Sequence, residues 1–183
     1  MASPTGSPLS SPPCTVPPDF TPKDIFLNPG EFAFGDSHTR IRTLLGSCVA
    51  ITFWHPVRKT GAMCHYLLPS GPAAGPPDGK YAQDVIKLIQ AHVARQRLLP
   101  EDFEVKMFGG SNMFPDLALG EVLAIGARNI HLGHQYLREA GFRVIKSDLA
   151  GTLQRMVVFE LWSGDVWVRQ GRRSGSGEGR VLP

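Results

Sequence analysis

Residues 45–69, LGSCVAITFWHPVRKTGAMCHYLLP, hold two runs of strand-forming residues, 48–54 and 61–67, separated by a six-residue connection containing Pro56. Short runs rich in β-branched and aromatic residues and bounded by turn formers read as an antiparallel hairpin. With Trp54 set opposite Gly61, Ala50 faces His65 and Cys48 faces Leu67. Side chains alternate between the two faces of a strand, so Cys48 and His65 share a face as diagonal neighbours, their Cα atoms roughly 7–8 Å apart. Cys64 falls on the opposite face with Val49, Ile51 and Phe53, where a thiol packs as a small hydrophobe. A register slip of two residues keeps this assignment, and a slip of one reverses it.

A thiol beside an imidazole is the minimum equipment for covalent acyl chemistry. The thiolate is the competent nucleophile, and the imidazole takes its proton and returns it to the leaving amine. Gly46 permits a tight bend just before Ser47 and Cys48, exposing the sulfur at the start of its strand. Backbone N–H groups at Gly46, Ser47 and Cys48 are candidates for an oxyanion hole. The alternative reading of the same residues is a buried cysteine and a hydrogen-bonded core histidine.

Outward from the hairpin, residues 31–34 and 41–45 read as further strands, and 71–79, GPAAGPPDG, as a surface loop. A helix is expected over 81–96, where Val85, Leu88, Ile89 and His92 or Val93 fall on one face. Strand 104–108, the small-residue turn GGSN, a second helix over 125–140 and strands at 143–148, 154–161 and 165–169 follow. Gly141 is placed to close the second helix as a left-handed C′ residue. Strands joined by tight turns outnumber helices, so the fold class is α/β: an α/β sandwich with a mixed, largely antiparallel sheet and two main helices.

The 183-residue length suits one domain. Residues 1–19 are rich in Pro and Ser and poor in periodic apolar positions, so they read as a disordered tail; residues 20–170 form the domain, and 171–183 a flexible C-terminal tail. No secretory signal or run of roughly 18 apolar residues appears, which points to a cytoplasmic protein without membrane insertion. Three cysteines, Cys14, Cys48 and Cys64, without a close CxxC pair, disfavour both a disulfide framework and a zinc ribbon. The net charge of +3, with Lys and Arg scattered, makes nucleic acid a poor partner.

LLGSCVAI followed by GAMCHYLLP resembles the signature of the chemoreceptor glutamine deamidase family, CheD. The likeness continues in KYAQDVIKLI, GGSNMF and IGARN, so it spans roughly residues 29–169. It implies deamidation of selected glutamines on methyl-accepting chemotaxis receptors, hydrolysis of receptor glutamyl methyl esters, and a fold shared with bacterial deamidating toxins. It also implies a Cys-His-Thr triad: Cys48 as nucleophile, His65 as base and Thr43 as the residue orienting the imidazole, with Thr39 as fallback. No cofactor is implied. A CheC-type phosphatase is the implied second partner, and an adaptor role towards it or the receptors, with catalysis secondary, is the alternative function. A papain-like peptidase expects a far longer separation than the 17 positions between Cys48 and His65. Where the family carries paired glycines and a Gly-Arg, this chain reads AGTLQRMVVF, keeping Gly151 and Arg155, which leaves substrate contact there in doubt.

Other signals carry less. GPPDGK at 75–80 lacks the Walker spacing and reads as a turn. His131 and His134 lie at i, i+3 without a third ligand nearby, so no metal site is expected. His38, His55 and His92 read as surface or packing residues, and Asp36 as a carboxylate that nothing places.

Overall fold

The computed structural model describes residues 20–113, 120–171 and 179–182. Its elements in chain order are β1 (Lys23–Phe26), β2 (Phe32–Gly35), β3 (Thr39–Leu45), β4 (Val49–His55), β5 (Thr60–Tyr66), α1 (Ala82–Arg95), β6 (Glu104–Gly109), α2 (Gly120–Glu139), β7 (Val144–Leu149), β8 (Arg155–Glu160), β9 (Asp165–Gln170) and β10 (Gly179–Leu182). The class is mixed α/β, as expected, but the strands divide between two five-stranded sheets rather than forming one. Sheet A runs β1-β3-β8-β9-β10 and sheet B runs β2-β5-β4-β6-β7. Each contains one parallel pair, β1 with β3 and β6 with β7; the other pairings are antiparallel.

The division follows from the hydrophobic pattern. Every residue of β4 is buried, because the strand is central in sheet B and that sheet is covered on both faces. On one face Val49, Ile51, Phe53 and Cys64 pack with Val85, Ile86 and Ile89 of α1 and Leu137 of α2. On the other, Ala50, Trp54, Met63 and Phe108 pack against Ile41, Leu45, Val157 and Phe159 of sheet A. The result is three layers: sheet A, sheet B, helices. A near-continuous apolar run such as CVAITFW is what a strand buried on both faces requires.

α1 matches its expected span closely, and Val85, Ile86, Ile89 and Val93 form its buried stripe. α2 begins five residues earlier than expected, and Gly141, with φ of +85°, follows it in the expected left-handed conformation. β1 was absent from the sequence reading: KDIF is mostly exposed and charged at two of its four positions, so it lacks the apolar signal of a buried strand. Part of the expected C-terminal tail also differs, since 179–182 pair antiparallel with β9. That pairing covers backbone groups that β9 would otherwise present at a sheet edge. The expected tail 1–19 lies outside the described residues. Among the described residues, no helix is long and apolar enough to cross a membrane.

Candidate functional site

The β4–β5 hairpin has the register read from sequence: Trp54 is opposite Gly61, Ala50 opposite His65 and Ile51 opposite Cys64. The ladder ends at Val49 and Tyr66, so Cys48 occupies the next position outward. His65 is turned into the layer between the two sheets and is only 1% exposed. Cys48 is half-buried against the same inter-sheet core. Ala50 lies across from His65 in the ladder.

Thr43 reaches this layer from the other sheet. Its Oγ1 lies 2.7 Å from His65 Nδ1 and 2.8 Å from the carbonyl oxygen of Leu27. Those two contacts determine the tautomer. A carbonyl only accepts, so the single hydroxyl proton of Thr43 goes to Leu27, and Oγ1 accepts a hydrogen bond from Nδ1–H. The lone pair is therefore on Nε2, which is buried and has no hydrogen-bond partner among the described residues. Thr39, the fallback, is committed elsewhere: its Oγ1 donates to Asp36 Oδ1 at 3.0 Å and accepts from the Asp36 N–H. Asp36 also accepts from the His38 N–H and makes no bond to an imidazole among the described residues.

Burial pulls His65 down from 6.5 to about 4, opposed by the Leu27 carbonyl and by the charge of Glu31. Burial also pushes the Cys48 thiol up. At neutral pH the resting site thus holds a neutral thiol and a neutral imidazole, and no hydrogen bond joins them. Cys64 is wholly buried, and burial drives its thiol up to about 12, so it supplies no thiolate.

The loop after β6 brackets the nucleophile. Gly110 N–H donates to Cys48 O at 2.8 Å and Ser111 N–H to Gly46 O at 2.9 Å. This close approach needs glycine: Gly109 and Gly110 have φ of +107° and +68°, and a Cβ on Gly109 would stand 2.2 Å from Cys48 O. Met113 of the same loop packs against Gly46. GGSNM thus lies directly at the candidate nucleophile.

Two further side chains build the site, and sequence reasoning assigned neither a role there. Asn129 of α2, fully buried, donates from Nδ2 to Leu67 O at 2.7 Å and to Ser47 O at 3.3 Å. Arg155, 3% exposed, donates to Asp148 and Ser111 at 2.7 Å each, to Gly109 O at 3.4 Å and to Ala150 O. The guanidinium holds the glycine loop to the turn after β7. Asn129 was visible only as the last letter of IGARN, and nothing local marks an asparagine on an amphipathic helix as functional.

The remaining sequence candidates lie elsewhere. His55 is buried against Phe103, and His92 stacks on Phe34 with ring centroids 3.9 Å apart. His131 and His134 line a shallow surface depression with Arg138, and among the described residues no cluster of three potential metal ligands occurs. An apolar cavity of about 220 Å³, lined by Phe34, Phe53, Ile89, Val93 and Phe103, opens beside Gly61, at the turn end of the hairpin away from Cys48.

Comparison with known proteins identifies the family. The family model described as CheD chemotactic sensory transduction matches residues 67–170, more than half of the chain, beginning just after His65. The probable chemoreceptor glutamine deamidase CheD 3 of Dechloromonas aromatica is 43% identical over 147 residues, covering 79% of this chain and 86% of its own. The corresponding CheD of Pseudomonas savastanoi is 41% identical over 80% of this chain and 84% of its own, and CheD 1 of Chromobacterium violaceum is 37% identical over 94% and 91%. Among solved structures, the hypothetical protein YfiH of Bacillus licheniformis aligns with 64% of this chain and 49% of its own at a TM-score of 0.44 and 14% identity, too distant to bear on function. With relatives of this identity and coverage, and a fold that brings Cys48, His65 and Thr43 to one layer, the chain belongs to the CheD family.

Proposed function

We propose that this protein is a protein-glutamine deamidase that converts glutamine side chains of methyl-accepting chemotaxis receptors to glutamate, with Cys48 as nucleophile. The observation that carries the mechanism is the Thr43–His65 hydrogen bond of 2.7 Å, which leaves Nε2, unpartnered among the described residues, as a base beside the strand that Cys48 immediately precedes. The glutamine carboxamide carbon is attacked by Cys48 Sγ as the thiol proton moves to His65 Nε2. The imidazolium then protonates the departing nitrogen, the C–N bond breaks, and ammonia leaves a thioester. Water, deprotonated by the same Nε2, attacks the thioester carbonyl; the C–S bond breaks, the thiol recovers its proton and glutamate is released. The same steps on a glutamyl methyl ester release methanol, so methylesterase activity accompanies the reading.

A half-buried thiol at the mouth of a sheet–sheet layer suits a substrate that arrives as a side chain on a large, convex partner. Family membership supports work in the cytoplasm, a CheC-type phosphatase as second partner and a fold shared with bacterial deamidating toxins. The test is to incubate the protein and its Cys48→Ala variant with chemoreceptor cytoplasmic fragments and follow ammonia release and mass. We expect shifts of about one dalton per modified glutamine, lost in Cys48→Ala. Folded wild-type protein that shifts no receptor fragment would end this reading.

A further inference from the structure

The start of β4 contains a hydrogen-bonding gap. β4 and β6 pair with Val49 opposite Gly109, which sets Cys48 opposite Gly110. Gly110 N–H duly donates to Cys48 O. A regular antiparallel rung would return a bond from Cys48 N–H to Gly110 O. It does not form, because the consecutive positive φ values of Gly109 and Gly110 carry the Gly110 carbonyl towards α2, where it lies 2.6 Å from the position a Cβ on Gly126 would take. Among the described residues the Cys48 N–H has no backbone acceptor.

The other side of the same peptide is held. Ser47 O accepts from Asn129 Nδ2, and the chain contains no cis peptide bond. In a trans peptide the carbonyl and the following N–H point in opposite directions, so fixing Ser47 O fixes the direction of Cys48 N–H. The same Nδ2 also holds Leu67 O, two residues beyond His65, so one amide ties the nucleophile's peptide to the strand carrying the base. Asn129 Oδ1, meanwhile, is buried without a partner among the described residues. An unpartnered buried acceptor weakens a fold, and helix packing alone would be better served by an apolar residue. The asparagine is therefore explained by what its Nδ2 holds.

We propose that Asn129 is a positioning residue that aims the Cys48 backbone N–H at the oxyanion of the tetrahedral intermediate. The proposal rests on the deamidase reading above and adds the donor it needs. Its chemistry is confined to the transition state, since a donor aimed at the developing oxyanion does not strengthen ground-state binding.

The experiment measures steady-state deamidation of a receptor cytoplasmic fragment by wild type, Asn129→Ala and Asn129→Asp, with melting temperature and the rate of Cys48 alkylation by iodoacetamide read on the same samples. Asp keeps the shape but cannot donate to Ser47 O or Leu67 O. Both variants are expected to lose roughly 10–100-fold in kcat with KM within about twofold, in the range of an oxyanion donor that is misaimed rather than removed. Alkylation, which passes through no oxyanion, is expected to stay within about twofold. An unchanged kcat, a loss confined to KM, a parallel fall in alkylation, or unfolding of both variants overturns the role of Asn129 while an active wild type leaves the deamidase standing. An inactive wild type removes both.

Discussion

Cys48 and Cys64 lie on the two paired strands of one hairpin and differ in everything that governs reactivity. Cys64 faces the helices in a dry layer with Val49, Ile51, Phe53 and Tyr66, and its thiol is held near 12. Cys48 faces the second sheet, is half-buried, and shares its layer with His65 and Thr43. The alternation of a strand is enough to separate a packing face from a reactive face, provided that each face meets a different neighbour. The helix layer supplies only apolar surface around Cys64. The opposing sheet supplies a hydroxyl and, through the segment after β1, a backbone carbonyl.

The sharpest way to break this comparison is alkylation. Iodoacetamide should modify Cys48 in the folded protein at least about 10³-fold faster than Cys64, which becomes accessible only on global opening. Peptide mass mapping separates the two from Cys14, and equal labelling of both would end the assignment. Next in size is the proton balance of His65. Its folded pKa of about 4 lies below the unfolded 6.5, so its contribution is complete above pH 6.5 and is lost as pH falls towards 4. Denaturant titrations should show wild type losing up to about 3 kcal/mol across that window. A His65→Gln variant should show a flatter profile, and two superimposable profiles would place the imidazole in water.

Thr43 tests the bridge between the sheets. Thr43→Val removes the acceptor for Nδ1–H and the donor to Leu27 O, leaving two buried groups unsatisfied. Stability should drop by about 1–3 kcal/mol and kcat by roughly 10–100-fold, whereas Thr43→Ser should retain most of both. Equal kinetics for the Val and Ser variants would show that the hydroxyl orients nothing. The smallest effect belongs to the packing face: Cys64→Ala should cost about 1–2 kcal/mol from the cavity it opens and leave receptor deamidation within about threefold. A larger kinetic loss would mean the two faces communicate.

The hairpin was legible because a short connection and strict alternation leave few registers, and Trp54 opposite Gly61 is among them. Thr43 was legible only by resemblance, since no pattern within β3 reveals that it will face a histidine on another sheet. The split into two sheets was hidden for the same reason: periodicity reports that β4 is buried on both faces but not what covers each. KDIF, mostly exposed at a sheet edge, lacked the apolar pattern of a buried strand, and the strand at 179–182 fell in a stretch whose composition reads as a tail. Arg155 was read only as a position in the strand 154–161 where substrate contact was in doubt; its inward ties to Asp148 and Ser111 come from the tertiary structure.

Leu27 contributes nothing to the reaction except a carbonyl, and that bears on how short the protein can be made. Trimmed past this residue, the chain would keep Cys48, His65 and Thr43 and would appear complete by any inventory of functional groups. The Thr43 hydroxyl, with no carbonyl to serve, would be free to donate to Nδ1, moving the ring proton to Nε2. An imidazole protonated there cannot accept from a thiol. The boundary of the working unit is thus drawn by a main-chain oxygen upstream of the proposed triad, and truncation designed from side chains alone would cross it unnoticed.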